Sequence, residues 1–198
     1  RVRYALALTS GLRDGELAAL TWADVDLDAK TVSVTKSLAK RGPDGFATVG
    51  KTKTEDGVRM LPLHPLAGRL LRAWKASGWA MNVGRHPTPA DAVFTTATGE
   101  ATRLNMAGRL RGDLVAAGCP DTYGGHPINF HATRRSFATW LAAAEVPETV
   151  IKRLMGHAAA GVTAKHYTAT DLDVLRRAVE TIKLDVRMGA VVALPLRV

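Results

Sequence analysis

Residues 131–167 read H-A-T-R-R-S-F-A-T-W-L-A-A-A (131–144), E-V-P-E-T-V-I-K-R-L-M-G-H (145–157) and A-A-A-G-V-T-A-K-H-Y (158–167). The first segment predicts a helix over 131–143. Phe137 and Leu141 lie four apart and Trp140 lies three after Phe137, which makes a core stripe, and the alanines at 138, 142 and 143 permit close packing. His131, Arg134 and Arg135 stand at i, i+3 and i+4, so helical spacing predicts one surface patch near the N-terminal end. Pro147 opens a second helix that stops at Gly156, with His157 directly after it. V-T-A-K-H-Y predicts a short helical turn presenting Tyr167.

Outward from this stretch the pattern is mostly helical. Residues 3–10 predict a helix ending at Gly11, and D-G-E-L-A-A-L opens another at Asp14, with Glu16 in its first turn. Arg13 falls at the junction. It is either an incidental surface charge or a cation held there to meet an anion. Residues 31–38 alternate as a strand, and R-G-P-D-G is a turn cluster. F-A-T-V-G-K-T-K-T-E-D-G-V-R-M-L-P-L then predicts strand, polar turn and strand, ending at Pro62, with Lys53 at or near the tip. Residues 65–78 form an amphipathic helix with Leu66, Leu70, Leu71 and Trp74 on one face. Residues 80–90 predict a loop, A-V-F-T-T a short strand, 102–117 a helix, C-P-D-T-Y-G-G-H-P a loop, and 170–184 a last helix before an apolar tail. The fold class is therefore α+β, mainly α-helical with a small antiparallel β-sheet or hairpin.

Composition narrows the function classes. The chain has 198 residues, 46% hydrophobic and 23% charged, as expected of a soluble globular protein with room for a sizeable core. Its formal charge of +9 and isoelectric point near 10.1 favour a polyanionic partner, nucleic acid before membrane surface. No run approaches the roughly 20 apolar residues of a membrane span, and no signal-peptide pattern opens the chain. The single cysteine, Cys119, excludes an intramolecular disulfide, fits a reducing cytoplasmic compartment and reads as a small buried hydrophobe before Pro120.

The residues able to converge are Arg13, Lys53, His131, Arg134, His157 and Tyr167. They include no carboxylate pair for glycoside hydrolysis and no acidic cluster for two-metal chemistry. Two histidines without a third ligand do not make a zinc site, so neither metal nor cofactor is expected. The same set suits attack on a phosphodiester, whose transition state gathers negative charge on its non-bridging oxygens. Two permanently charged guanidiniums can grip those oxygens. A histidine adds a donor, a tyrosine can serve as nucleophile, and a lysine can protonate the leaving oxygen.

These residues and their order resemble the tyrosine recombinase family, the phage integrases and their relatives. T-S-G-L-R-D-G-E-L-A-A-L-T-W-A-D-V-D (9–26) resembles the first arginine box, with Arg13 and a supporting Glu16. K-T-E-D-G-V-R-M-L-P-L (53–63) resembles the β-hairpin lysine motif, with Lys53 as general acid and Lys51 as the competing assignment. H-A-T-R-R-S-F-A-T supplies His131 and Arg134, L-M-G-H supplies His157, and Tyr167 stands where the nucleophile belongs. Any one box is weak, but five in order over residues 4 to about 170 are specific. Met155, Thr133 and Arg135 depart from the common pattern without removing a catalytic group.

The resemblance implies a catalytic domain over 1–170 and a C-terminal helix and apolar tail over 171–198, the tail packing on its own chain or docking on a neighbouring protomer. It implies a family N-terminal core-binding domain lying outside this chain, the opening Y-A-L-A-L-T-S reading as a helix already under way. It implies site-specific recombination of double-stranded DNA through a 3′-phosphotyrosine, a homo-tetramer on two duplexes, and a monomer without DNA as the other state. Lys51, Arg59, Arg135 and His166 are candidate DNA contacts, while His64, His86 and His126 carry no motif. A type IB topoisomerase-like enzyme, or a DNA-binding domain without turnover, are the alternatives. The small residues between His157 and Tyr167 imply a nucleophile that moves relative to the arginines.

Overall fold

The computed structural model describes residues 1–39, 49–51, 58–101, 106–157 and 169–184. Lys53, His166, Tyr167 and the tail from 185 onward therefore lie outside the described residues, as does the expected displacement of Tyr167. Lys51 is described by its backbone alone.

Helix α1 (Val2–Ser10) buries Leu6 and Ala7 and stops at Gly11, whose φ of 62° is left-handed. Only glycine fits there for a second reason too, since a Cβ would lie 2.5 Å from the Phe137 ring. That contact brings the end of α1 against α6 (His131–Ala143), whose Phe137 and Leu141 are fully buried as the periodicity expects. The short α2 (Asp14–Ala19) follows at once.

Among the described residues three small antiparallel sheets follow it. Strands β1 (Val25–Asp26), β2 (Thr31–Val34) and β5 (Arg59–Pro62) form one sheet in the order β1-β2-β5, with Val32 opposite Leu61. β3 (Lys36–Leu38) pairs with β4 (Val49–Lys51), Ser37 facing Gly50 across the ladder. The single strand expected over 31–38 is thus two strands in two sheets. β2 is held by the core through Val32 and Val34, while β3 turns away to pack on α2, where Leu38 is buried with Ala18 and Ala19.

The helix expected to end at 78 runs on. α3 (Pro65–Ala73) passes through a π-helical turn (Trp74–Gly78) into α4 (Trp79–Val83), which closes at left-handed Gly84. The widened turn lets Trp74 and Trp79, five apart, reach the same segment, their indole N–H groups donating to the Val93 and Ala92 carbonyls at 2.8 and 2.9 Å. Those two ladder-like bonds also explain why residues 92–96 are not the expected strand. They carry isolated bridges to Thr21 and Ala101 instead. α5 (Met106–Ala116) follows, and the loop expected at 119–127 contains a two-residue hairpin, β6 (Thr122–Tyr123) with β7 (His126–Pro127), around two left-handed glycines, 124 and 125. Cys119 is exposed, not buried, because it lies in the loop after α5 and beyond the core.

α7 (Glu148–Met155) packs between α6 and α8 (Ala169–Glu180), and α8 covers β5. His64, which carries no sequence motif, ties this end down. Its Nδ1 accepts from the Leu66 N–H at the start of α3, so the proton sits on Nε2, which donates to the Ile182 carbonyl at 3.0 Å. Among the described residues no helix is long and apolar enough to cross a membrane.

Candidate active site

The site is assembled at three chain junctions: the α1–α2 turn, the start of α6 and the end of α7. Arg134 joins them. Its side chain is 2% exposed, so it is not part of the surface patch that helical spacing predicts for it with His131 and Arg135. The reason is that each of its terminal nitrogens has a carbonyl to bond. Nη1 donates to the Gly11 carbonyl and Nη2 to the Met155 carbonyl. Gly11 precedes Arg13 by two residues and Met155 precedes His157 by two. One guanidinium therefore fixes the spacing of three motifs whose residues, Arg13 and His157 at the extremes, lie up to 144 apart in sequence. Two of its five N–H donors are used in this way. The remainder has no partner among the described residues and belongs to the wall of a cavity.

A second buried cation braces the same junctions. Arg59, on β5, is expected from sequence to meet DNA, but it is 3% exposed and turned inward. Its Nε donates to the Leu154 carbonyl at 3.1 Å, and its Nη1 and Nη2 meet the two Glu16 oxygens at 3.2 and 2.9 Å. The carbonyl end of α7 is thus closed by two arginines, a favourable place for cations. Gly156 ends the helix at φ 60°, and a Cβ there would lie 2.8 Å from Arg59 Nη1. The His157 N–H bonds back to the Lys152 carbonyl at 3.0 Å, which sets where its side chain leaves the chain.

Glu16 is the shared acceptor. Besides Arg59 it receives the Arg13 backbone N–H and the Arg13 Nη1, both at 2.9 Å. The backbone bond caps α2, and the side-chain bond aims the half-exposed Arg13 guanidinium. Burial alone would raise the Glu16 pKa, yet the hydrogen bonds and charge of Arg59, with those of Arg13, bring it below the ordinary value. Sequence reading marks Glu16 as supporting but misses its partner. The signal is present: in β5, Arg59 shares the buried phase with Leu61, while Met60 between them is exposed.

Arg13, His131 and Arg134 line one cavity of about 300 Å³, together with Asp14, Ser37 and Phe130. Burial lowers the Arg134 pKa to about 10, helped by repulsion from Arg13, so the group remains charged at neutral pH. His131 is pushed down by burial and then by Arg134, Arg135 and Arg13. His157 is pushed down by burial and then by Arg134, Arg13 and Arg59. Both imidazoles are therefore neutral at pH 7, each keeping one N–H to donate. Arg135 is exposed on α6. No group of three His, Cys, Asp or Glu side chains able to hold a metal ion occurs among the described residues.

Residues 1–173 match the sequence profile of the phage integrase family. The chain belongs to the phage integrase family. It is 28% identical over 192 residues to a tyrosine recombinase XerC-like protein of Caldanaerobacter subterraneus, covering 90% of this chain and 48% of that protein. It is also 28% identical to the prophage integrase IntF of Escherichia coli K12, covering 86% of this chain and 30% of that protein. The chain thus spans about half or less of the length of these relatives. In fold it matches the Tn1549 transposon integrase, solved in complex with a circular intermediate DNA, at a TM-score of 0.63 and 24% identity, over 80% of this chain and 50% of that one. The mainly helical fold with small antiparallel sheets is that of phage integrase family catalytic domains.

Proposed function

We propose that this chain is the strand-cleaving part of a site-specific DNA recombinase. The observation that carries the reading is the cavity walled by Arg13, His131 and Arg134, in which two guanidiniums and a neutral imidazole outnumber the single carboxylate, Asp14. Such a wall complements the oxygens of a phosphodiester, and the one carboxylate in it, Asp14, is already paired with Arg3 at 2.7 Å.

In this reading the phosphate of one strand seats against Arg13 and Arg134, and His157 donates a further hydrogen bond. The Tyr167 phenolic oxygen attacks phosphorus and the bond to the 5′ oxygen breaks. The phenol proton leaves through His131, and Lys53 gives a proton to the departing 5′ hydroxyl, with Lys51 as the other residue able to do so. A 3′-phosphotyrosine conserves the bond energy, and attack by a 5′ hydroxyl from a partner duplex rejoins the strands. Each exchange of one P–O bond for another asks the protein only for charge stabilisation and proton transfer, which these residues supply without a metal ion. The reading further places the protein on double-stranded DNA in the cytoplasm, as a homo-tetramer across two duplexes, with Arg135 and His166 against the DNA backbone.

The test is a pool of randomised DNA duplexes nicked so that cleavage traps the enzyme. Denaturant-stable protein–DNA adducts are isolated and their DNA sequenced. Wild type is expected to give an adduct on a defined sequence and Tyr167→Phe to bind that sequence without forming one. Absence of any wild-type adduct across the pool, or an adduct that survives Tyr167→Phe, rejects the reading.

A further inference from the structure

One polar residue in the wall of the cavity belongs to no sequence motif. Ser37 is the middle residue of β3 and lines the same space as Arg13, His131 and Arg134. Its neighbours on the strand are already engaged. Lys36 Nζ reaches Asp24 Oδ2 at 2.8 Å and Thr21 Oγ1 at 3.1 Å, while Leu38 is buried against α2. Ser37 is not. Among the described residues its hydroxyl has no hydrogen-bond partner, and the residue facing it across the ladder is Gly50, which has no side chain to cover it.

The chain also keeps space for this hydroxyl beside α2. A Cβ on Gly15 would stand 2.6 Å from Ser37 Oγ and 2.8 Å from the Leu38 carbonyl, so a larger residue at 15 would force β3 off the helix. Glycine between Arg13 and Glu16 therefore lets the hydroxyl sit next to the charged cluster. A hydroxyl there adds a donor without adding charge to a region already crowded with guanidiniums, and it rotates to suit its acceptor.

We propose that Ser37 contacts substrate, its hydroxyl donating a hydrogen bond to a non-bridging oxygen of the phosphate held by Arg13 and Arg134. This rests on the reading that a DNA phosphodiester enters the cavity. A hydrogen bond to a charged acceptor is the stronger kind, so its loss is expected to slow single-turnover adduct formation about tenfold.

The experiment uses the nicked duplex recovered from the pool above, with wild type and Ser37→Ala compared at saturating DNA. A second duplex carries a methylphosphonate in place of the scissile phosphate, which removes one charged oxygen in each diastereomer. Ser37→Ala is expected to slow cleavage about tenfold on the natural phosphate, with thermal stability unchanged, and to equal wild type on one methylphosphonate diastereomer. Equal rates on natural DNA overturn the proposal, as does a tenfold defect that persists on both diastereomers. Failure of wild type to form any adduct instead rejects the underlying reading.

Discussion

Replacing Glu16 by glutamine tests the whole bracing scheme. The change keeps the side-chain volume and one acceptor oxygen. It removes the charge and turns an amide donor toward the donors of Arg59 or Arg13, which the carboxylate now meets at 2.9–3.2 Å. Arg13 is half exposed, so its share is screened and small. Arg59, with its side chain 1% exposed, sets the magnitude. Breaking a buried pair from one side leaves an uncompensated charge and costs about 3–5 kcal/mol. For a chain of this size each kcal/mol lowers Tm by about 2–4 °C, so a fall of roughly 6–20 °C is expected at pH 7. Because the folded Glu16 pKa is lowered, its contribution is fully present above the ordinary value of 4.5 and is lost as pH falls below that toward the lowered value. The gap between wild type and variant should therefore close on acidification. Pairing Glu16→Gln with Arg59→Met should restore much of the loss, since no charge is then stranded. Thermal unfolding followed by circular dichroism decides. A Tm within about 2 °C of wild type at pH 7, with no pH dependence in the difference, would refute the bracing role.

Gly11→Ala forces a left-handed backbone and drives a methyl into the Phe137 ring, and a loss of about 2–4 kcal/mol is expected in urea unfolding, with slower adduct formation because the Gly11 carbonyl also holds Arg134. Proton NMR titration of the free protein should give His131 and His157 midpoints below the ordinary 6.5, and stability should fall as pH drops below 6.5 because the unfolded chain then binds protons first; midpoints above 6.5 would contradict the site's positive field. Deleting residues 185–198 should reduce the size of the protein–DNA complex measured by light scattering if the tail docks on a neighbour. Unchanged assembly assigns the tail to its own chain.

The helices and strands were legible where one periodicity ruled. Phe137 and Leu141 sit in the core as their spacing requires, and Gly11 and Gly156 stop their helices. Legibility failed where a distant partner decided the outcome. Nothing local to A-V-F-T-T says that two tryptophans 13 and 19 residues earlier will take its carbonyls, nor does the pattern around 74–79 announce a π turn. Arg134 illustrates the same limit within the site. Its neighbours His131 and Arg135 are exposed as helical spacing suggests, and it would be too if the Gly11 and Met155 carbonyls were not delivered to it by α1 and α7. Of the six expected site residues, Arg13, His131 and Arg134 line one cavity, and tertiary structure decides which of these touch solvent. Arg59, a candidate DNA contact by sequence, turns inward because the carboxylate of Glu16, forty-three residues away, and the Leu154 carbonyl meet it there.

The charges around the cavity do not balance. Arg13 and Arg59 pair with Glu16, Asp14 pairs with Arg3, and Arg134 bonds two carbonyls, its pKa falling to about 10 because burial and Arg13 both oppose its charge. An isolated protein therefore carries electrostatic strain that an anion in the cavity would relieve. This makes substrate binding and stability one quantity: a ligand bound only by the folded state adds about 2.7 kcal/mol at a concentration of 100 Kd. Vanadate, a tetrahedral oxyanion able to adopt the five-coordinate shape of phosphoryl transfer, is the probe. At saturation it should raise Tm by about 5–11 °C, and the rise should shrink in Arg13→Ala, whose cavity keeps only one guanidinium on its wall. It should also lift the His131 midpoint, because an anion offsets the repulsion from Arg134 and Arg13 that holds the imidazole down. If vanadate leaves both the Tm and the His131 titration where they were, the positive charge is satisfied within the fold itself, and the cavity is not built to hold a phosphate.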